Sequence, residues 1–351
     1  YRKAPIRNGQ ELFFTRFAVT AYAVRKEGES MKKIDGERFR VAIYGYGNLG
    51  KGVEAAVMRA ADLELGGVFT HRPDQVRTQA LSAVYPADAF ASYAAEFDAV
   101  LLCAGSERDL PRLTPALSSV CNTIDSFDTH ATAQAHFGAV NAAAQASGHL
   151  SLIGAGWDPG VFSVMRLLGE AVLPDGEGAT FWGCGISQGH SEAARRVPGV
   201  LDARAETVPD PQALADAKAG ERCYAQHRRI CSVVAAPDAD RARIATQIRA
   251  IPHYFAGQQT EVRFVTPERL PQGYPHGGYV FRNGTAGGFG QQLFCRLRLG
   301  DNPAFTGSVM TAFARAVCRM HRRGRTGCLL PFDIAPIDLV PFPPDAVWRC
   351  Y

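Results

Sequence analysis

No stretch of the sequence approaches the roughly 18 to 20 uninterrupted apolar residues that a membrane helix needs. The nearest, ELFFTRFAVTAYAVRK, is broken by Arg16 and lacks the small-residue pattern of a cleavable signal peptide. No membrane partner is expected. Charge of one sign is lacking too. The formal net charge is +4 over 351 residues, with no Lys or Arg run that could follow a phosphate backbone, which argues against nucleic acid. The nine cysteines (Cys103, Cys121, Cys184, Cys223, Cys231, Cys295, Cys318, Cys328 and Cys350) never stand as CxxC or with His at zinc-finger spacing. They read as reduced, mostly buried thiols of a cytoplasmic protein, and no metal is expected. Internal repeats are absent. What is present is 46% hydrophobic and 21% charged residues, a globular balance in a chain long enough for two domains.

From Arg40 onward, short apolar runs alternate with amphipathic stretches: FRVAIYG, a helix from about Asn48 to Ala60, then LELGGVFTH, FDAVLLCAG, CNTIDSF and LSLIGAG. β-branched runs bounded by glycine and separated by helices are the pattern of βαβ units on a parallel sheet. The texture then changes to TFWGCGIS, ARAETVP, RRICSVVAA, TEVRFVT, GGYVFRN and QLFCRLRLG, several with the alternation of a sheet exposed on one face. The expected fold is α/β, a Rossmann-type doubly wound parallel sheet plus an α+β domain with a mostly antiparallel sheet covered by helices on one face. A long helix, NPAFTGSVMTAFARAVCRMHRRG, ends at Gly324. The expected boundaries are 39–156 for dinucleotide binding, 157–325 for the substrate, and a proline-bearing tail, 326–351, extended over the surface and packing back on the first domain. Met31 and KKIDGERFRVAI look like a start upstream of the first strand, so residues 1–38 are expected to be a leader, disordered or foreign to the enzyme.

Gly45, Gly47 and Gly50 form GxGxxG at a strand-to-helix turn. The first glycine permits the turn, the second lets backbone approach a pyrophosphate, and the third lets the helix pack on the strand. At the end of the next strand, where an NAD site carries a carboxylate, stand Thr70, His71 and Arg72. A hydroxyl and a guanidinium can hold a 2′-phosphate that a carboxylate would repel, so NADP(H) is favoured over NAD.

Ligands of open α/β sheets bind beyond the carboxyl ends of the strands, so LLCAGSERD, TIDSFDTH and IGAGWDPG are expected to face the nicotinamide. Asp125, Asp128 and Asp158, acids without an evident partner, suit an ammonium group. Gln188, Arg229 and His276 in the second domain suit carboxylates. Together they suggest a zwitterionic, amino-acid-like substrate.

The segments VAIYGYGNLGKGVE, LLCAGS, TIDSFDTH, GWDPGVFSVMR, TFWGCGISQGHSEAARRVPGV, YPHGGYV and GDNPAFT, in this order between Arg40 and Pro336, together resemble the meso-diaminopimelate dehydrogenase family. The resemblance implies NADP-dependent oxidative deamination of the D-centre of meso-2,6-diaminopimelate to L-2-amino-6-oxopimelate and ammonia, and the reverse amination, in lysine and cell-wall precursor synthesis. It places the D-centre at Asp128, Trp157, Asp158, Trp182, Gln188 and Gly189, with Asp128 and Asp158 as the catalytic pair. The L-centre falls to Thr207, Arg229, His276 and Asn302, with Arg228 as the neighbour that could replace Arg229. Cofactor contacts are implied at Gly45, Tyr46, Gly47, Asn48, Leu49, Gly50, Thr70, His71, Arg72, Cys103, Gly105 and Ser106, and the second domain is implied to form a homodimer.

Two departures stand out: the family tends to Ser-Arg-Arg where this chain has Thr70-His71-Arg72, which predicts a weaker NADP preference, and the leader has no family counterpart. Competing readings are a dihydrodipicolinate-reductase-like or aspartate-dehydrogenase-like enzyme, or a non-catalytic NADP-sensing regulator.

Overall fold

The structure, a computed structural model, describes residues 38–80, 82–222, 224–342 and 348. The expectations for residues 1–37 and for Cys223, Pro343, Pro344 and Cys350 lie outside them. The chain begins with strand β1 (Phe39–Tyr44), helix α1 (Asn48–Val57), β2 (Leu63–Thr70), β3 (Val84–Pro86), α2 (Phe90–Tyr93), β4 (Ala99–Leu102), α3 (Leu110–Ser118), β5 (Thr123–Asp125), α4 (Ala133–Ser147), β6 (Leu150–Leu152) and α5 (Val161–Val172). It continues through β7 (Glu177–Trp182), β8 (Gly185–Ser187), α6 (Gln188–Arg195), β9 (Val200–Pro209), α7 (Pro211–Ala219), β10 (His227–Ala235), α8 (Arg241–Arg249) and β11 (Thr260–Phe264). The last elements are β12 (His276–Ala286), β13 (Phe289–Leu299), α9 (Asn302–Arg322), β14 (Gly327–Leu329) and α10 (Pro336–Leu339).

Seven parallel strands lie in the order β14, β6, β5, β4, β1, β2, β3, which is the doubly wound Rossmann order with one strand added at an edge. The order reverses beside β1, so the crevice at its carboxyl end opens where α1 starts. Val41, Ile43, Leu101, Ile124 and Leu152 are buried on these strands, as expected of a sheet covered on both faces.

The second region is mostly antiparallel, but it forms two small sheets rather than one: β11, β10, β9, β8 and β13, β12, β7. Only β10 and β11 run parallel there. The division falls at Gly183, between β7 and β8, where φ is +105° and a Cβ would lie 2.2 Å from the Thr207 carbonyl oxygen. TFWGCGIS, expected as one strand, therefore breaks so that Trp182 pairs with Gly278 of β12 while Gly185 pairs with Thr207 of β9.

Helix α9, counted above with the second domain, packs its apolar stripe (Val309, Met310, Phe313, Val317 and Met320) into the core of the parallel sheet. It crosses α1 at bare backbone. A Cβ on Gly52 would sit 2.4 Å from the Pro303 carbonyl oxygen, and one on Gly307 would sit 2.3 Å from the Gly52 carbonyl carbon. Buried Asp62, just before β2, locks the arrangement by accepting both arms of the Arg315 guanidinium at 2.5 and 2.8 Å, with Arg319 at 3.4 Å. The tail then departs from the expected surface run: Gly327–Leu329 are buried and form the edge strand beside β6, because Cys328 and Leu329 have apolar surface to cover. No helix among the described residues is long and apolar enough to cross a membrane. The seven cysteines described are unpaired, and burial raises Cys121 and Cys231 to about 12.

Candidate active site

The β1–α1 turn is shaped by close backbone contact. Gly45 has φ +93°, and a Cβ there would meet the Cys103 carbonyl oxygen at 2.5 Å. A Cβ on Gly50 would meet the Gly45 carbonyl oxygen at 2.4 Å, whereas one on Gly47 would meet nothing within 4 Å. Two glycines thus let the loop fold on itself, and the third leaves its outer side bare. Gly47 caps α1 with no side-chain hydrogen bond, so the first-turn N–H groups, beginning with those of Asn48 and half-buried Leu49, point at that bare side.

At the end of β2, Thr70 is buried and its hydroxyl accepts the Arg72 N–H at 3.3 Å. His71, edge-on to Tyr44 at 6.4 Å, and Arg72 are both exposed, and among the described residues neither pairs with a carboxylate. Two side chains of the expected cofactor set point elsewhere. Tyr46 is buried and donates to Glu54 at 2.5 Å, while Glu54 also accepts the Ala80 N–H at 2.9 Å, so this pair braces the 76–80 loop against α1. The Cys103 thiol turns back toward the Leu101 carbonyl, and burial pushes its pKa far up. Cys103 therefore meets the glycine loop through its backbone.

The three strand-end loops are laced together. The Asp128 N–H donates to the Ser106 hydroxyl at 2.8 Å, the Ala155 N–H donates to the Asp125 carbonyl at 2.7 Å, and exposed Gly105 donates to Asp109 at 3.1 Å. Asp125 is not the open acid that the sequence suggested. Its fully buried carboxylate accepts from Thr114 and His136, each at 2.7 Å, and from the Phe127 and Gly154 N–H groups at 3.0 and 3.1 Å. It holds the loops in shape. Asp128 is water-accessible but set in a recess, and the surrounding protein pushes its carboxyl pKa up, offset only in part by Ser106 and His130.

Asp158 is also partnered. Its side chain is 1% exposed, and its oxygens accept the Arg166 guanidinium at 2.5 and 3.1 Å and the Trp182 indole N–H at 2.5 Å. Arg166, one face of α5 with Ser163, was not singled out from the sequence; an arginine inside the apolar run VFSVMR was its only signal. Trp157 donates from its indole to Asn302 at 3.0 Å, Thr306 donates to the same oxygen at 3.1 Å, and the Trp157 ring lies 4.9 Å from His276. Residues assigned to opposite ends of the substrate thus touch one another.

On the second domain, Arg229 of β10 lies opposite Thr207 of β9, donates to its hydroxyl, and donates to Gln258 at 2.9 Å. Arg228 is exposed on the other face of the strand. Burial lowers the Arg229 pKa to about 10. Burial, reinforced by the Arg229 charge, lowers His227 and His276 to about 4 and His190 to about 3, so all three are neutral at neutral pH. His276 Nδ1 is held by the next residue, 2.8 Å from the Gly277 N–H that donates to it and 3.1 Å from the Gly277 carbonyl oxygen. Gln188 and Gly189 open α6, where the Ser187 hydroxyl binds His190 Nδ1 at 2.8 Å, and a Cβ on Gly189 would lie 3.3 Å from the Tyr254 ring. Tyr254, also missed from the sequence, carries a phenol raised first by burial and then by Glu107 and Asp128, which sets it near the first domain's strand-end loops.

A family model described as the diaminopimelic acid dehydrogenase C-terminal domain matches residues 156–300. The meso-diaminopimelate D-dehydrogenase of Ureibacillus thermosphaericus is 45% identical over 306 residues, 85% of this chain and 94% of that protein. The chain belongs to the meso-diaminopimelate D-dehydrogenase family. The family member from Corynebacterium glutamicum is 40% identical, across 86% of this chain and 95% of its own length. The solved structure of C. glutamicum DAP dehydrogenase in complex with DAP superposes with a TM-score of 0.84 at 38% identity, covering 90% of this chain and 99% of that one. An engineered D-amino acid dehydrogenase bound to NADP+ gives 0.83 at 37% identity, with 89% and 99% covered. Membership in the meso-diaminopimelate D-dehydrogenase family sets aside the dihydrodipicolinate-reductase-like and aspartate-dehydrogenase-like readings.

Proposed function

We propose that the chain catalyses NADP-dependent oxidative deamination of the D-centre of meso-2,6-diaminopimelate to L-2-amino-6-oxopimelate and ammonia, and the reverse amination. The observation that carries this reading, beside family membership, is that the β6-end loop is tied through Trp157 to Asn302 at the start of α9 and through Asp158 to Trp182 of β7, in the second region. A nucleotide fold and an amino-acid-binding surface thereby meet at one place.

The residues present fit the cofactor. Gly47 and the first turn of α1 offer bare backbone donors for a pyrophosphate, and Thr70, His71 and Arg72 offer a hydroxyl and two cations for a 2′-phosphate. When bound, NADP+ supplies the hydride acceptor. The chain's own part is to bind and orient. Arg229, Thr207, His276 and Asn302 hold the L-centre head, so that only the opposite configuration presents its Cα–H for reaction.

Asp128 meets the amine at the D-centre. The ammonium must lose a proton before hydride can leave, because the nitrogen lone pair drives the departure. Even a raised carboxyl is a weak base for an amine, so Asp128 orients the nitrogen while the proton passes to water. Water then adds to the imine carbon and ammonia departs. Deamination is expected to quicken toward alkaline pH.

The enzyme is further read as a cytoplasmic homodimer. The support is apolar surface left exposed on α5 (Leu167, Leu168 and Val172) and β13 (Phe289 and Phe294), and light scattering should return twice the chain mass. The activity is tested by incubating the purified chain with meso-diaminopimelate and NADP+. One ammonia per NADPH is expected; nucleotide binding without turnover would favour the regulator reading.

A further inference from the structure

We propose that Arg166 is a positioning residue that cancels the charge of Asp158, so that the substrate amine faces one uncompensated carboxylate, Asp128, instead of two. The proposal rests on the deaminase reading above and adds a residue to it.

The Arg166 guanidinium is held on three sides. It donates to both Asp158 oxygens at 2.5 and 3.1 Å, to the Ser163 hydroxyl at 3.3 Å and to the Thr180 hydroxyl at 3.5 Å. Ser163 and Arg166 share one face of α5, three residues apart, and Thr180 and Trp182 share one face of β7, two residues apart. Asp158 is gripped between a helix and a strand, with donors on both oxygens. Beside this cluster stand His227, whose Nε2 accepts the Trp182 N–H at 2.9 Å and which burial keeps neutral at neutral pH, and, one turn along α5 from Arg166, Glu170, whose charge is met by Arg282 at 2.8 Å. Asp128, by contrast, forms no ion pair among the described residues.

The consequence is electrostatic. A lone carboxylate beside an amine favours the ammonium and raises its pKa by about 1 to 3 pH units, whereas an ion pair of zero net charge leaves only a weak dipole. Two free carboxylates would bind the ammonium well and hold it in the protonated form, which cannot release hydride. Cancelling one keeps orientation and lowers the pH at which the reactive amine appears. Asp158 itself, its side chain 1% exposed, is held at a fixed position behind these donors.

The test is the pH dependence of kcat for NADP+-dependent deamination, which reports ionisations in the enzyme–substrate complex. In Arg166→Met the acid limb should move to higher pH by about 1 unit or more. Asp158→Asn/Arg166→Met, which removes both charges, should return the limb to its wild-type position, and Arg166→Lys should keep that position while KM rises. Melting temperature and NADP+ binding are measured on each variant.

A purely structural arginine would lower stability or kcat at every pH and leave the limb in place. An unmoved or acid-shifted limb in Arg166→Met, failure of the double variant to reverse it, or a shifted limb in Arg166→Lys overturns the proposal. If Arg166→Met does not fold, Arg166→Gln, which loses the charge but keeps a polar end for Ser163 and Thr180, takes its place under the same criteria. Wild-type enzyme that fails to turn over meso-diaminopimelate would instead sink the functional reading itself.

Discussion

Replacing Arg229 with Met removes a cation while keeping most of its apolar stem. In the free protein it costs two side-chain bonds, to Thr207 and Gln258. Its pKa of about 10 leaves the guanidinium charged at working pH despite partial burial, so a substrate carboxylate placed there meets a charged, ordered partner. Removing one member of such a pair costs about 2 to 5 kcal/mol, which corresponds to a roughly 30-fold to few-thousand-fold loss of kcat/KM.

The loss should fall mainly on KM, because the L-centre head is remote from the reacting carbon. Folding should suffer little, with Tm lower by about 2 to 4 °C. Initial rates of NADPH formation against meso-diaminopimelate concentration, with differential scanning calorimetry on both proteins, measure these quantities. A kcat/KM within threefold of wild type would refute the assignment. So would an equal loss toward a D-amino acid that has no distal head.

Three further outcomes are expected. Asp62→Ala leaves Arg315 buried without its partner and should destabilise the protein by about 3 to 5 kcal/mol in denaturant unfolding, with NADP+ affinity largely kept in the folded fraction. Gly307→Ala forces a methyl group into the Gly52 backbone and should cost about 1 to 3 kcal/mol or more, seen as a lower Tm, whereas Gly324→Ala, with open space around it, is penalised only by its φ of +84°. His276 has a folded pKa of about 4, below the unfolded value near 6.5, so the unfolded state binds the proton more tightly. Its contribution of about 3 kcal/mol is complete above roughly pH 6.5 and is lost as pH falls toward 4, so Tm measured across that window should drop less steeply in His276→Asn.

The parallel sheet was legible because βαβ spacing and the GxGxxG turn are local patterns. Gly45 and Gly50 stand where backbone meets backbone, and Gly47 stands where nothing does. Partnership was not legible. Asp125, Asp128 and Asp158 look alike as letters, yet one is a buried loop brace, one is open and one is bound to an arginine eight residues along.

Residue names likewise could not show that Tyr46 and Cys103 turn their side chains inward. Nor could they show that α9 would pack on α1, since its apolar stripe reads the same whichever core it covers. The division of the second sheet hung on one close contact, Gly183 against Thr207, made across 24 residues of sequence.

The central claim is that a nicotinamide site and a two-headed amino-acid site act together on one D-configured centre. It is tested most directly by the rate of NADP+ reduction with meso-, LL- and DD-diaminopimelate under one set of conditions. Ready turnover of the meso isomer with stoichiometric ammonia is expected, none with LL, which lacks a D-centre, and slow turnover with DD, whose distal head has the wrong configuration for Arg229 and His276. Equal rates with LL and meso, or no NADPH from meso, would contradict it.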